Sequence, residues 1–277
     1  MSLATIDRDA DALAARVPDG AKIALVKADS GVPMALVHAL IRRGVRDLHL
    51  VCIPTGGLAV DLLIGAGCVS VIETSGVSLD EFGQAPAFGR AVRNGDVEIR
   101  DATCPAVYAA LQAGQKRIPF IPLRGLIGSD VQRRRDDWKV IDNPMAEGED
   151  PMVLLPAIVP DFALIHARQA DRFGNLYAGD SRDLITMAHA AEHTIATVEE
   201  VVDTNLLDDP LLRPAAIPAI YVDAIAAAPR GAMPVGLTGS YAPDAERLAL
   251  YARMAADPAG LQQYLDSFVF GRQAAAE

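Results

Sequence analysis

Residues 22–73 read KIALVKADSGVPMALVHALIRRGVRDLHLVCIPTGGLAVDLLIGAGCVSVIE. Lys22–Ala28 is a short apolar run of strand length. From Pro33 to Arg43, Met34, Val37, Leu40 and Ile41 recur at helical spacing. Pro33 suits the first turn, where a missing N–H is no loss, and Gly44 suits the stop. Leu48–Ile53 reads as a second strand, Leu58–Ala66 as a second helix ended by Gly67, and Val69–Glu73 as a third strand. Strands joined through single helices must pair in parallel. This stretch therefore predicts an α/β fold built on a parallel, doubly wound sheet.

The alternation continues outward. Ala87–Asn94 is predicted as a helix stopped by Gly95, Val97–Arg100 as a strand, Ala106–Ala113 as a helix stopped by Gly114, and Ile118–Ile121 as a strand. Arg124 to Asp150 reads as one long charged loop. Met152–Leu155 and Phe162–Ala167 read as strands, Ile185–Ala191 as a helix, His193–Val198 as a strand and Ile217–Val222 as the last strand. Tyr251–Phe268 is helical, in one or two pieces around Pro258. No repeat, low-complexity tract or linker interrupts the pattern. The expectation is one domain over residues 1–277, with 1–20 an N-terminal helix or arm and 242–277 the C-terminal helices.

Composition narrows the function. Lys and Arg total 25 against 36 Asp and Glu, a net charge of −11. A nucleic-acid binder needs a basic face to displace counterions, so that class is excluded. Hydrophobic residues are 51% of the chain and aromatics 5%, which implies an aliphatic core and more apolar surface than one domain buries. An oligomer is expected on that ground. Cys52, Cys68 and Cys104 show neither Cys-x-x-Cys spacing nor a nearby His cluster, so a zinc site is not expected, and a reduced cytoplasm is the simplest setting. Asp7, Asp9, Asp11 and Asp19 leave the N-terminus without the apolar core of a signal peptide. The most apolar stretch, Pro151–Ala167, is broken by Pro156, Pro160 and Asp161 and is too short to span a bilayer.

Open parallel sheets bind ligands at the carboxyl ends of their strands. The first such end carries Asp29-Ser30-Gly31-Val32-Pro33 and the second Pro54-Thr55-Gly56-Gly57, each directly before a helix. Either loop presents N–H groups and a helix dipole to an oxyanion, or is simply a tight turn. Neither matches a P-loop or a full Gly-x-Gly-x-x-Gly fingerprint. After the third strand, Glu73 to Glu81 is small, polar and acidic. It reads equally as a pocket wall, with Glu73 and Ser78 facing the ligand, or as a capping box in which Ser78 caps and Glu81 reaches back. Arg124, after a strand end, either grips a carboxylate or phosphate or forms a structural ion pair with an Asp. Arg133-Arg134-Arg135 reads as solvated surface and His166 as a satisfied core residue. No Gly-x-Ser-x-Gly elbow is present.

Taken in order, several stretches resemble the alpha subunit of family I CoA-transferases, the glutaconate CoA-transferase branch in particular. They are Pro33–Val37, Gly56–Gly67, Glu81–Gly83, Ile118–Gly125, Ile165–Ala167 with Ala170-Asp171 and Gly174-Asn175, Thr197–Val202 and Ala228–Ala232. The resemblance covers roughly residues 22 to 234. It implies the parallel α/β fold of the sugar-phosphate isomerase and CoA-transferase type. It also implies a homologous beta subunit, with hetero-oligomeric assembly and alpha–alpha contacts, and a CoA thioester as substrate with no permanently bound cofactor. In such enzymes a glutamate of the beta chain attacks the thioester and passes through an acyl anhydride and a glutamyl-CoA. The alpha chain supplies an oxyanion loop and part of the acyl pocket. The expected substrate-binding residues are thus Ser30, Gly31, Gly56, Gly57, Glu73, Ser78 and Arg124, with no nucleophile on this chain. The first loop here has one Gly and no Arg, and Gly231-Ala232-Met233-Pro234 stands where many relatives read Gly-Ala-His-Pro. The alternatives are a ring-opening acyl-CoA hydrolase subunit of the same fold and a non-catalytic acyl-CoA-binding protein.

Overall fold

The computed structural model describes residues 4–28 and 30–272; Asp29 of the first loop and the first three residues of the arm lie outside the described residues. The N-terminal arm forms β1 (Thr5–Ile6) and α1 (Ala10–Ala14), whose N-cap Asp9 accepts the Ala12 N–H. Then come β2 (Lys22–Val26), α2 (Met34–Arg43), β3 (Leu48–Ile53), α3 (Leu58–Gly65), β4 (Val69–Thr74), α4 (Pro86–Asn94), β5 (Glu98–Asp101) and α5 (Cys104–Gln115). The decisive stretch folds as its periodicity predicts. Gly44 ends α2 in the left-handed region at φ 73°, and Met34, Leu36, Val37, Leu40 and Ile41 are buried. Gly114, expected as a stop, instead lies inside α5. A Cβ there would sit 2.0 Å from the Ile158 carbonyl oxygen, so this glycine serves a close backbone approach.

Eight strands pair in parallel in the order β1-β13-β11-β9-β2-β3-β4-β5. The central strands are apolar on both faces: Ile23, Ala24, Leu25, Leu50, Val51, Cys52, Leu164 and Ile165 are all fully buried. The chain leaves β2 outward to β5 and returns to place β9 (Phe162–Asp171) on the other side of β2. The order reverses between these two strands, a topological switch point.

Between β5 and β9 the structure departs from expectation. β6 (Phe120–Leu123), β7 (Lys139–Asp142) and β8 (Pro151–Pro156) do not join the parallel sheet. They form a separate antiparallel sheet in the order β6-β8-β7. The stretch read as a long loop thus holds β7 and the short α6 (Asp130–Arg133). Hydrophobic runs of strand length carry no sign of which sheet they join, and a crossover helix is needed only for parallel neighbours.

The last third contains β10 (Leu176–Tyr177), α7 (Arg182–Ala190), β11 (His193–Val202), β12 (Ala216–Ile217), β13 (Ala224–Ala227), α8 (Ala245–Met254) and α9 (Pro258–Phe268). The strand expected over Ile217–Val222 is broken at Pro218. It yields β12, antiparallel to β10, then a 3-10 turn, and the true last strand is β13. Pro258 separates α8 and α9. Buried Asp61 on α3 accepts the Phe88 N–H at 2.7 Å and the Tyr251 hydroxyl at 2.7 Å, so one carboxyl caps α4 and anchors α8.

Candidate active site

β2 and β9 exchange only the pairs Ile23↔Phe162 and Ala24↔Ala163 before diverging. The crevice between them opens at the carboxyl ends. The Gly31 carbonyl accepts the His166 N–H at 2.8 Å. Gly31 has φ +108°, and a Cβ on it would lie 2.6 Å from the His166 carbonyl oxygen. Only glycine lets the first loop lie this close to β9. Beside it is a recess of about 190 Å³ lined by Ser30, His166, Arg168, Tyr177, Ser181 and Thr238, among others.

The floor of the crevice is a closed hydrogen-bond network. His166 is fully buried, with Nδ1 2.8 Å from Thr197 Oγ1 and Nε2 2.7 Å from Glu199 Oε1. Both partners stand on β11, and His166 is in register with Thr197. Glu199 also accepts the Tyr241 hydroxyl at 2.6 Å and the Arg230 N–H at 2.7 Å. Burial pushes His166 below the usual histidine range despite the nearby Glu199. Burial opposes ionisation of Glu199 too, but Tyr241, the Arg230 N–H and His166 together hold its carboxyl below its ordinary value. A neutral imidazole that donates to Glu199 and accepts from Thr197 satisfies every group. His166 is therefore the satisfied core residue expected of it. Glu199 and Tyr241 were not singled out from sequence. Tyr241 lies in an aperiodic segment, and only folding brings it to Glu199.

A second recess of about 200 Å³ lies at the ends of β2, β3 and β4, lined by Lys27, Gly57, Ser78, Asp80, Phe82 and Leu248, among others. Lys27 Nζ donates to Ser78 Oγ at 2.9 Å and to Asp80 Oδ1 at 2.5 Å. Leu79, not Ser78, stands at the N-cap of the 3-10 turn Asp80–Phe82, so the capping box does not form. Ser78 faces the lysine instead. The Gly56 N–H, expected to be free for an anion, donates to the Gly76 carbonyl at 2.9 Å. The loops after β3 and β4 are thereby tied to each other. Gly57 flanks Lys27, whose Cγ would lie 3.1 Å from an added Cβ.

Glu73 and Arg124 line neither recess. Glu73 is buried against Arg135, with Oε1 2.8 Å from Nη2, and has His49 at 3.7 Å and Lys22 at 3.9 Å. Burial works against its charge, but His49, Arg135 and Lys22 hold its carboxyl at about 2. Arg135 was read as solvated surface. It is buried because its segment folds back onto the sheet face, where Trp138 stacks 4.6 Å from its guanidinium. Arg124 is 68% exposed and pairs with Asp150 through both guanidinium ends, Nη2 to Oδ2 at 2.7 Å. Its structural ion-pair reading holds in this chain. Thus Ser30 and Gly31 stand at the first recess and Gly57 and Ser78 at the second. Among the described residues no group of three or more His, Cys, Asp or Glu is arranged to hold a metal ion. No helix among them is long and apolar enough to cross a membrane.

A parallel α/β sheet with recesses at its switch point defines a protein that binds a small ligand at the strand ends. Comparison with known proteins narrows this: the coenzyme A transferase family model matches residues 7–228, and the chain belongs to that family. One of the two named components of 3-oxoadipate CoA-transferase from Pseudomonas knackmussii, its A component, is 32% identical over 92% of this chain and 90% of its own length. The cholesterol ring-cleaving hydrolase IpdA subunit of Rhodococcus jostii is 32% identical over 87% and 83%. A longer uncharacterized protein of Archaeoglobus fulgidus is 32% identical over 87% of this chain, which spans 53% of that protein. Among crystal structures, glutaconate coenzyme A-transferase from Acidaminococcus fermentans superposes with a TM-score of 0.86 at 26% identity, over 98% of this chain and 90% of that one. A variant of the decarboxylase AibA/AibB superposes at 0.84 and 33% identity, over 96% and 99%.

Proposed function

We propose that this chain is the alpha subunit of a CoA-transferase. With a homologous beta chain it moves CoA between an acyl-CoA and a carboxylic acid, through a glutamyl-CoA formed on the partner. The observation that carries this reading is the state of the chain's own carboxylates. A carboxylate nucleophile must be reachable and not over-stabilised as the anion. Glu73 is buried and held by Arg135, Asp80 is held by Lys27, and Glu199 accepts from three donors. Each is poorly placed to attack a thioester, which supports a nucleophile supplied by another chain. The similarity to a protein named as one component of a CoA-transferase supports the same division of labour. In this reading the crevice beside Gly31 and Ser30 receives the acyl end, Gly57 and Ser78 border the second recess, and Arg124 sits on the small sheet near the incoming partner.

The 32% identity to a ring-cleaving hydrolase subunit favours a second reading, in which the same two-chain crevice opens a carbon–carbon bond of an acyl-CoA. Exchange of CoA among a panel of acyl-CoA donors and carboxylate acceptors decides between them. The chain purified with its partner should transfer CoA. Hydrolytic loss of substrate without transfer would favour the hydrolase, and the absence of both reactions would leave a binding protein.

A further inference from the structure

The first recess contains a cation that nothing in the described chain neutralises. Arg168 leaves β9 two residues beyond His166 and so on the same face of the strand. Its guanidinium lies 4.9 Å from the Tyr177 ring centre. Its polar contacts are the Tyr177 hydroxyl at 3.4 Å and the Gly239 carbonyl at 3.3 Å. Both are long beside the roughly 2.7–2.9 Å of a charge-assisted hydrogen bond. Among the described residues no carboxylate lies within ion-pair distance of it, whereas Lys27, Arg124 and Arg135 each hold one. Asp180 is on the rim, exposed.

The walls around this arginine are kept bare. Gly239, at φ +74°, would place a Cβ 2.9 Å from Nη1, and Gly179, at φ +61°, would place one 3.3 Å from Nη2. Two left-handed glycines thus flank the edge where the donors emerge. Ser30, Ser181 and Thr238 line the same space. Ser181 is the N-cap of α7 and makes no side-chain capping bond, so its hydroxyl is uncommitted there. The volume of about 190 Å³ equals about six water molecules at ~30 Å³ each. That suits a short carboxylate-ended chain and is too small for the adenosine phosphate end of CoA.

We propose that this recess is a carboxylate subsite, in which Arg168 receives the free carboxylate of an acyl group or acceptor acid whose other end carries or accepts CoA. Resting on the CoA-transferase reading, it makes the preferred substrate a short diacid. Two N–H donors of the fork bind the two oxygens, and the flanking hydroxyls complete the acceptor's shell.

The test uses the chain purified with its partner, and glutarate against butyrate as acceptors. Glutarate should be preferred by about 10- to 100-fold in kcat/KM, the worth of a hydrogen-bonded charge pair. Arg168→Met should bring the ratio to near one, and Arg168→Lys should restore part of it. Gly239→Ala, which keeps the arginine and crowds Nη1, should also lower it, and serves if Arg168→Met fails to fold. An unchanged ratio in these variants overturns the subsite and leaves the transferase reading standing. Transfer to neither acid sinks the transferase reading instead, and saturation-transfer NMR with glutarate then decides the subsite. A signal present in wild type and lost in Arg168→Met supports it, and no wild-type signal overturns it. Adenosine 3′,5′-bisphosphate should leave the glutarate signal in place; displacement would assign the arginine to phosphate and overturn the carboxylate role.

Discussion

Replacing Glu73 with Gln removes one charge from a buried cluster and leaves its volume almost unchanged. Glu73 and Arg135 are 5% and 6% exposed at their side chains, so solvent screens them little. The drop of the Glu73 carboxyl from 4.5 to about 2 corresponds to about 3 kcal/mol of native-state stability at ~1.4 kcal/mol per tenfold change. Arg135 is not orphaned in the variant, because Asp137 still bonds its Nε at 2.8 Å and its Nη2 at 2.9 Å. The loss should therefore fall at about 2–3 kcal/mol, below the 3–5 kcal/mol of an isolated buried charge. The sign with pH follows from linkage. A carboxyl depressed in the folded state contributes in full above its unfolded value near 4.5 and loses that contribution as pH falls towards 2. Urea unfolding of both proteins at pH 7, 5, 3.5 and 2.5 reads this directly. At ~3 kcal/mol per molar urea the midpoint should fall by about 1 M at pH 7. The gap should narrow between pH 4.5 and 2, the interval spanned by the two values. A midpoint within ~0.2 M of wild type at pH 7, or a gap constant down to pH 2.5, would refute the reasoning. Unchanged stability together with abolished CoA exchange would make Glu73 the nucleophile after all.

Arg124→Ala should change the urea midpoint little, since its pair with Asp150 is exposed and such pairs contribute about 0–1 kcal/mol. If Arg124 grips a substrate carboxylate in the complex, KM for the acceptor rises in Arg124→Ala and Arg124→Lys alike, and an unmoved KM and turnover removes that role. Gly31→Ala should destabilise the chain by about 1–3 kcal/mol, because its Cβ would meet the His166 carbonyl in a left-handed backbone; a thermal midpoint equal to wild type counts against this. Borohydride reduction during turnover, followed by peptide mapping, should label a glutamate of the partner chain and leave Glu73, Asp80 and Glu81 unlabelled. Sedimentation at micromolar concentration should give a mass well above the 29.3 kDa of one chain, and a clean monomer would contradict the expected assembly.

The parallel sheet was legible in residues 22–73 because local periodicity and the stops at Gly44 and Gly67 are properties of contiguous chain. The strand-end loops were legible for the same reason: where a strand stops, a loop at the ligand-binding edge must begin. What those loops do with their polar groups was not. Whether the Gly56 N–H is free depends on a carbonyl twenty residues away at Gly76. Whether Arg124 awaits a ligand depends on Asp150, and whether Glu73 faces a cleft depends on Arg135, which a charge run presents as surface. Tyr241 reaches Glu199 across 42 positions, and Arg168 stands bare only because Gly179 and Gly239 converge on it from separate loops. Hydrophobic burial acts through patterns that repeat every few residues, so sequence alone determines the layered sheet. Charge and hydrogen-bond partnership act over about 3 Å between residues remote in the chain, and only the tertiary structure decides which are met.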